Sequence, residues 1–211
     1  MTRSAPDKSP TREDAGATGA FIAVVGPSGS GKDSIINYAR DHLLGRPNFV
    51  FPRRIITRQA DARSEDHDTL TIEAFIQTKA RGGFALDWEA HGLSYALPTS
   101  IDDDIAAGRV VIVNTSRALV PALAARYRHL VVVSVSAHPD IIAQRLASRG
   151  REDAATIAKR LSRMQVEESL RSDAILIENS GPIEMAGQRF VHVLEDAALD
   201  IADGKARLGE D

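Results

Sequence analysis

The sequence predicts an α/β fold, a three-layer sandwich around a central parallel sheet that carries a small insertion and a helical lid. Three observations carry this prediction. Short apolar runs recur at residues 21–25, 110–113, 130–135 and 174–177, as strands covered on both faces read. Segments of helical periodicity alternate with them, the order that a parallel sheet with crossover helices demands. The first run leads through Gly26-Pro27-Ser28-Gly29-Ser30-Gly31-Lys32 into a helical pattern, and that strand, glycine loop and helix form a unit with its own chemistry.

The 211 residues suffice for one such domain. The absence of cysteine excludes disulfides, thiolate metal sites and a cysteine nucleophile, and fits a reducing, cytoplasmic setting. Residues 1–19 are polar, without the apolar segment of a signal peptide, and read as a disordered leader. The domain is expected over 20–202, with a frayed tail at 203–211. No apolar run is long enough to span a bilayer. A formal net charge of −3 gives no global field for nucleic acid, so phosphate ligands must be met by local basic groups. Oligomeric state is not legible.

Taken in order, residues 34–44 give the first helix, closed by Gly45, and 49–51 a second apolar run. Residues 53–98 break the rhythm; they are rich in Arg, Asp and Gly, contain a hairpin-like stretch at 84–95, and read as an acceptor-binding insertion. Thr99-Ser100 are expected to cap a helix whose first turn holds Asp102, Asp103 and Asp104, suited to the positive end of its dipole, with Gly108 at its close. Further helices are expected at 116–127, 139–149 and 153–170.

The loop at 26–32 is a phosphate trap. Its glycines let consecutive N–H groups turn inward, the helix behind adds its dipole, and Lys32 reaches the β and γ oxygens of a nucleotide. Gly26, Pro27, Ser28, Gly29, Ser30, Gly31 and Lys32 are therefore candidate ATP contacts. Asp33 stands where such loops usually offer Mg²⁺ a hydroxyl. Its carboxylate is a hard oxygen donor suited to the ion or one of its waters; the alternatives are that Asp33 only caps the helix, or that Ser34 takes the metal through water or is itself a capping residue.

Phosphoryl transfer spreads charge over equatorial oxygens, so arginines on mobile elements suit it. Arg145 and Arg149 lie four apart on one helix face, ahead of Gly150 and Arg151, and Arg160 and Arg163 sit on the next helical pattern. Residues 145–163 thus read as a lid. Lys32, Arg145, Arg149 and Arg160 are the expected catalytic groups, within a three-layer P-loop kinase fold. In Arg53-Arg54-Ile55-Ile56-Thr57-Arg58, the guanidinium groups of Arg54 and Arg58 suit a phosphomonoester already present on the acceptor.

Together, Gly-Pro-Ser-Gly-Ser-Gly-Lys, Arg54-x-x-Thr57-Arg58, Tyr95 after a hairpin, Arg145-Leu-x-x-Arg149-Gly, Arg160-Leu161 and Asn179 resemble the guanylate kinase superfamily over residues 20–194. That resemblance implies ATP, Mg²⁺ and an adenine-side loop at Asn179-Ser180-Gly181. Base recognition departs from it: Tyr95-Ala96-Leu97 stands where those kinases have Tyr-Gly-Thr, and the arginine and glycine that follow Thr-Arg are out of register. The departures, with Gly-Lys-Asp-Ser at 31–34, Glu65-Asp66-His67, Trp88-x-Ala-His91-Gly92-Leu-x-Tyr95 and Asn114-x-Ser116-Arg117, resemble the ribose 1,5-bisphosphate phosphokinases of phosphonate breakdown. The resemblance implies a sugar bisphosphate acceptor, with Arg58 and Arg117 on its phosphates, Asn114, Ser116 and His91 near its hydroxyls, and Tyr95 among the acceptor-binding residues. Trp88 reads as core of the insertion. Competing readings are a nucleoside monophosphate kinase with relaxed base recognition, which the changes at 57–65 and 95–97 disfavour, and a non-catalytic protein-binding module, which would have no use for Lys32 in a phosphate loop.

Overall fold

In the computed structural model, residues 19–57, 67–90, 92–148 and 174–203 are described. Arg58, His91, Arg149 and Arg160, the helix expected at 153–170 and residues 1–18 fall outside them.

Strand β1 (Ala20–Val25) is buried along its whole length, as a strand at the centre of a covered parallel sheet must be. It pairs in parallel with β7 (Val110–Asn114) on one side and β8 (Leu130–Ser136) on the other. The two-residue β2 (Phe49–Val50) and β9 (Ile175–Glu178) complete a sheet of order β2-β7-β1-β8-β9. Parallel pairing lines up the carboxyl ends of β1, β7, β8 and β9, so the loops after these strands share one rim.

Alternation sends successive side chains to opposite faces. Ile22, Val24, Ile112, Val133 and Val135 pack with Ile35 and Ala39 of α1 (Lys32–His42) and Phe190 and Leu194 of α6 (Ile183–Ala202). Phe21, Ala23, Val111 and Val113 pack on Ile101 and Ile105 of α3 (Ser100–Ala106) and Leu123 of α4 (Val120–Arg126). These are the three layers that the sequence predicts. Each fully buried Ile, Leu or Phe contributes about 1.5–3 kcal/mol of hydrophobic stabilisation, so the two faces of β1 hold the layers together.

Helix α6 escaped the sequence reading. It crosses α1 so closely that a Cβ on Gly187 would lie 2.4 Å from the Tyr38 ring; the glycine that interrupts the helical signal is what permits the crossing.

A second sheet, of order β4-β3-β6-β5, occupies the stretch that broke the rhythm. Strand β3 (Arg54–Ile56) pairs with β4 (His67–Thr69) in parallel and with β6 (Leu93–Pro98) antiparallel, and β5 (Phe84–Ala90) with β6 forms the expected hairpin, closing at Ala90↔Leu93. Helix α2 (Ile72–Ala80), capped by the Thr71 hydroxyl accepting from Ala74 N–H, sits against β5 through Phe75 and Phe84. Ala85, Leu97 and, at its margin, Trp88 join the core beneath α3, so the second sheet is fastened to the first and Trp88 is core, as expected.

Two local expectations are corrected. Thr99 precedes α3 but makes no capping hydrogen bond, because its own backbone is helical (φ −60°, ψ −24°) rather than extended. The helix expected over 116–127 begins as a 3-10 turn (Arg117–Leu119), which Ser116 caps by accepting from Ala118 N–H, before α4 starts. The acidic residues of α3 serve packing too: the Tyr127 hydroxyl donates to Asp102 (2.8 Å), as does Arg126 (2.5 Å). Burial, with the Asp102 carboxylate adding to it, pushes the Tyr127 phenol far above its ordinary pKa.

Candidate functional site

The loop after β1 is shaped by close approaches that only glycine allows. At Gly26 (φ +145°) a Cβ would sit 2.2 Å from the Val135 carbonyl oxygen of β8. At Gly31 (φ +89°) it would sit 2.2 Å from Asn179 Nδ2. Gly31 is the N-cap of α1 and brings no side chain to it. The first N–H groups of the helix, which no carbonyl within it reaches, are thus left uncapped by any side chain, with the positive end of the dipole behind them. Asp33 is the second residue of α1, in its first turn, while the N-cap position belongs to Gly31.

Lys32 opens α1 and folds back across the loop, donating to the Gly26 carbonyl (2.8 Å) and the Pro27 carbonyl (2.9 Å). From the other side, Asn179 Nδ2 donates to the Ser30 carbonyl (2.8 Å). Asn179 is nearly inaccessible, and its own N–H is held by Ser136 O at the end of β8. Arg145, on α5 (Pro139–Ser148), points its guanidinium at the Gly29 and Ser30 carbonyls at 3.5 and 3.4 Å, the long end of hydrogen bonding. Ile142 and Leu146 of the same helix lie under Gly29. A cleft of about 300 Å³ runs from Gly29 and Gly31 past exposed Ser34 and Arg145 to Asn179 and Gly181. Asn179 Oδ1, at its wall, and Ser30 Oγ, near Gly26, are buried with no hydrogen-bond partner among the described residues, an arrangement that a bound polar group or water relieves. The cradle therefore fits a nucleotide's phosphates: an uncapped helix N-terminus, one lysine, one arginine and an orphaned amide oxygen beside an open cleft.

Toward the second sheet, Asn114 ends β7 beside the loop, in register with Val24. Its Nδ2 donates to Asp33 Oδ1 at 2.6 Å. Its main-chain carbonyl accepts from Arg54 of β3 at 3.3 Å. Asp33 thus has one carboxylate oxygen engaged by a neutral amide, and among the described residues no three His, Asp or Glu side chains converge anywhere. One carboxylate beside a phosphate cradle fits Mg²⁺, which keeps most of its waters and relies on substrate phosphates; it does not fit a metal that needs an all-protein cage.

The other expected acceptor residues lie around this link. Tyr95, on β6, stacks on Trp88 with ring centroids 5.3 Å apart. Ser116 spends its hydroxyl on the 3-10 turn, and Arg117 donates to Ser134 Oγ of β8 at 3.0 Å. Ala96 and Leu97 have no exposed surface at all. Between Asn114 and Ser116, Thr115 is buried with its hydroxyl lacking a partner among the described residues, a feature that only the strand's placement could reveal. The bond between Asn114 and Asp33 was likewise missed, since it joins positions 81 residues apart.

No family model matches the chain. Among curated proteins, it is 46% identical to the ribose 1,5-bisphosphate phosphokinase of Chelativorans sp. (strain BNC1) over 188 residues, 88% of this chain and 90% of that protein. It is 43% identical to that of Agrobacterium fabrum over 84% of this chain and 97% of the relative, and 46% identical to that of Brucella melitensis biotype 2 over 86% and 94%. Among solved structures, guanylate kinase from Anaplasma phagocytophilum superposes with a TM-score of 0.67 at 17% identity, over 87% of this chain and 88% of that one; this likeness shows a common fold.

Proposed function

The chain belongs to the ribose 1,5-bisphosphate phosphokinase family, and from that premise we propose that it moves the γ-phosphoryl group of ATP onto ribose 1,5-bisphosphate. An oxygen of the acceptor's 1-phosphate forms the new bond to the γ-phosphorus as the bond to the β,γ-bridging oxygen breaks. The products are ADP and 5-phospho-α-D-ribose 1-diphosphate. An acceptor phosphate is already ionised, so positioning matters more than deprotonation and no general base is assigned.

In this reading residues 26–32 hold the ATP phosphates through backbone N–H groups, and the Lys32 ammonium leaves its two carbonyl partners for the β and γ oxygens. Arg145 offers its guanidinium to the charge that develops on the transferring group. Asp33 holds Mg²⁺, which when bound neutralises charge on the β- and γ-phosphates. Asn179 and Ser34 border the nucleoside side. The second sheet, within residues 53–98, is the acceptor-binding unit, Arg54 is its phosphate contact nearest the transfer, and 145–163 form the lid.

The observation that carries the choice of acceptor is Leu97. It occupies the place of a base-reading hydroxyl in the guanylate kinase pattern, and it is wholly buried in the core. With Leu97 packed into the core, that position offers a guanine no hydroxyl, and each polar group of a bound base left without a partner costs about 1–3 kcal/mol, so that two or three of them amount to on the order of 10³-fold or more in kcat/KM. A coupled assay for ADP with ribose 1,5-bisphosphate and with GMP tests this. GMP is expected to be at least about 10³-fold poorer in kcat/KM; turnover of GMP within tenfold of the ribose compound would overturn the acceptor assignment.

A further inference from the structure

We propose that Asn114 is a positioning residue for Asp33 rather than a contact to the acceptor sugar: its amide fixes one oxygen of the carboxylate and leaves the other to the metal. The inference rests on the reading of Asp33 as the magnesium residue.

The observations are geometric. Asn114 Nδ2 lies 2.6 Å from Asp33 Oδ1, a short contact of the kind charged acceptors make. The amide is the last side chain of β7, whose neighbour β1 feeds the phosphate loop, so the donor is mounted on the same rigid sheet as the cradle it serves. The main chain at Asn114 is tied in turn to β3 through Arg54. A hydroxyl at position 33 would offer a metal one oxygen; a carboxylate offers two on a rotatable bond, and needs an outside partner to choose between them. Asn supplies that partner without adding charge. An Asp at 114 would repel the carboxylate, and a Lys would compete with the metal for it. Groups that orient a ligand in this way are worth about 10–100-fold in metal affinity. The same bond commits one of the two Nδ2 protons to Asp33, so the orientation of the amide is set by the carboxylate before an acceptor arrives.

The test measures ADP binding to the full chain by calorimetry, with and without Mg²⁺, for wild type, Asn114→Leu, Asp33→Asn and the double variant. Leucine keeps the shape of asparagine and removes the donor; Asn114→Ala, smaller and equally without a donor, serves if the leucine variant melts early. The readout is the magnesium enhancement, the ratio of the two dissociation constants. Asn114→Leu is expected to cut that enhancement about tenfold while metal-free ADP binding stays within twofold. Asp33→Asn is expected to abolish it, and the double variant to match Asp33→Asn alone. If Asp33→Asn removes the enhancement but Asn114→Leu leaves it whole and instead raises the KM for ribose 1,5-bisphosphate, Asn114 is an acceptor contact and the proposal falls, while the magnesium role of Asp33 stands. If Asp33→Asn keeps the full enhancement, the magnesium assignment fails first and takes the positioning role with it.

Discussion

Lys32→Ala is expected to lower kcat by about 10²–10³-fold with little change in melting temperature. The magnitude follows from removing one preorganised charge aimed at the transferring group. The small effect on folding follows from what Lys32 touches without ligand. Its ammonium is partly exposed and bonded to the carbonyls of Gly26 and Pro27, two residues that are themselves only half-buried. Alanine, moreover, is the better helix former at the start of α1. In the proposed role the lysine meets both ground-state ATP and the transition state, so KM for ATP should rise as well, by less than kcat falls. Lys32→Arg does not rescue: a planar fork cannot fold into the space of a compact ammonium between two carbonyls less than 3 Å away. Steady-state kinetics beside a thermal melt make the check. Retained turnover in a folded Lys32→Ala protein removes the residue from the mechanism.

Gly31→Ala is expected to damage nucleotide binding strongly. The backbone at Gly31 is left-handed, which costs an L-residue about 1–2 kcal/mol. The added carbon would also lie 2.2 Å from Asn179 Nδ2 and displace it from the Ser30 carbonyl, leaving the buried Asn179 amide without that acceptor and the carbonyl with only the long contact from Arg145, at about 1–3 kcal/mol. Together these come to about 2–5 kcal/mol, or roughly 30-fold to about 5 × 10³-fold in ADP affinity where the loop rather than the whole domain yields. Gly45 supplies the control. It is left-handed too (φ +83°), but nothing lies within 4 Å of its Cβ position. Gly45→Ala should therefore show the conformational cost in the melt and none in calorimetry with ADP. Equal ADP affinities for the two variants would mean that the contact between Gly31 and Asn179 has no part in the cradle.

What could be read in the sequence depended on how local the determining physics is. The buried strands announced themselves because a parallel strand covered on both faces has no polar alternation to blur it, and β1, β7, β8 and β9 fall within a residue or two of the apolar runs. The loop at 26–32 was legible for the same reason, its function residing in consecutive backbone groups. Helix α6 was not, and the glycine within it, Gly187, is explained only by Tyr38 packed against it from α1. Strands β3 and β4, three residues each, are too short to show a period and exist through pairing with β6 and with one another.

The site shows the same division. Lys32, Arg145 and Asn179 do gather at one rim, as parallel topology requires of residues that follow strands or open helices there. Asn114 was singled out by resemblance, but its partner was not, since only the pairing of β1 with β7 brings it beside Asp33. Arg117 resembles an acceptor contact, yet it reaches across the rim to Ser134, a direction set by the 3-10 turn that replaces the first turn of the expected helix.

The central claim is that a phosphate already on a sugar receives the γ-phosphoryl group in a site with no place for a base. Phosphorus NMR of the enzyme with ATP, Mg²⁺ and ribose 1,5-bisphosphate follows this atom by atom. The signal of the sugar 1-phosphate should disappear as two coupled diphosphate doublets grow in step with ADP. Growth of free inorganic phosphate in their place, with the sugar signals untouched, would contradict the account.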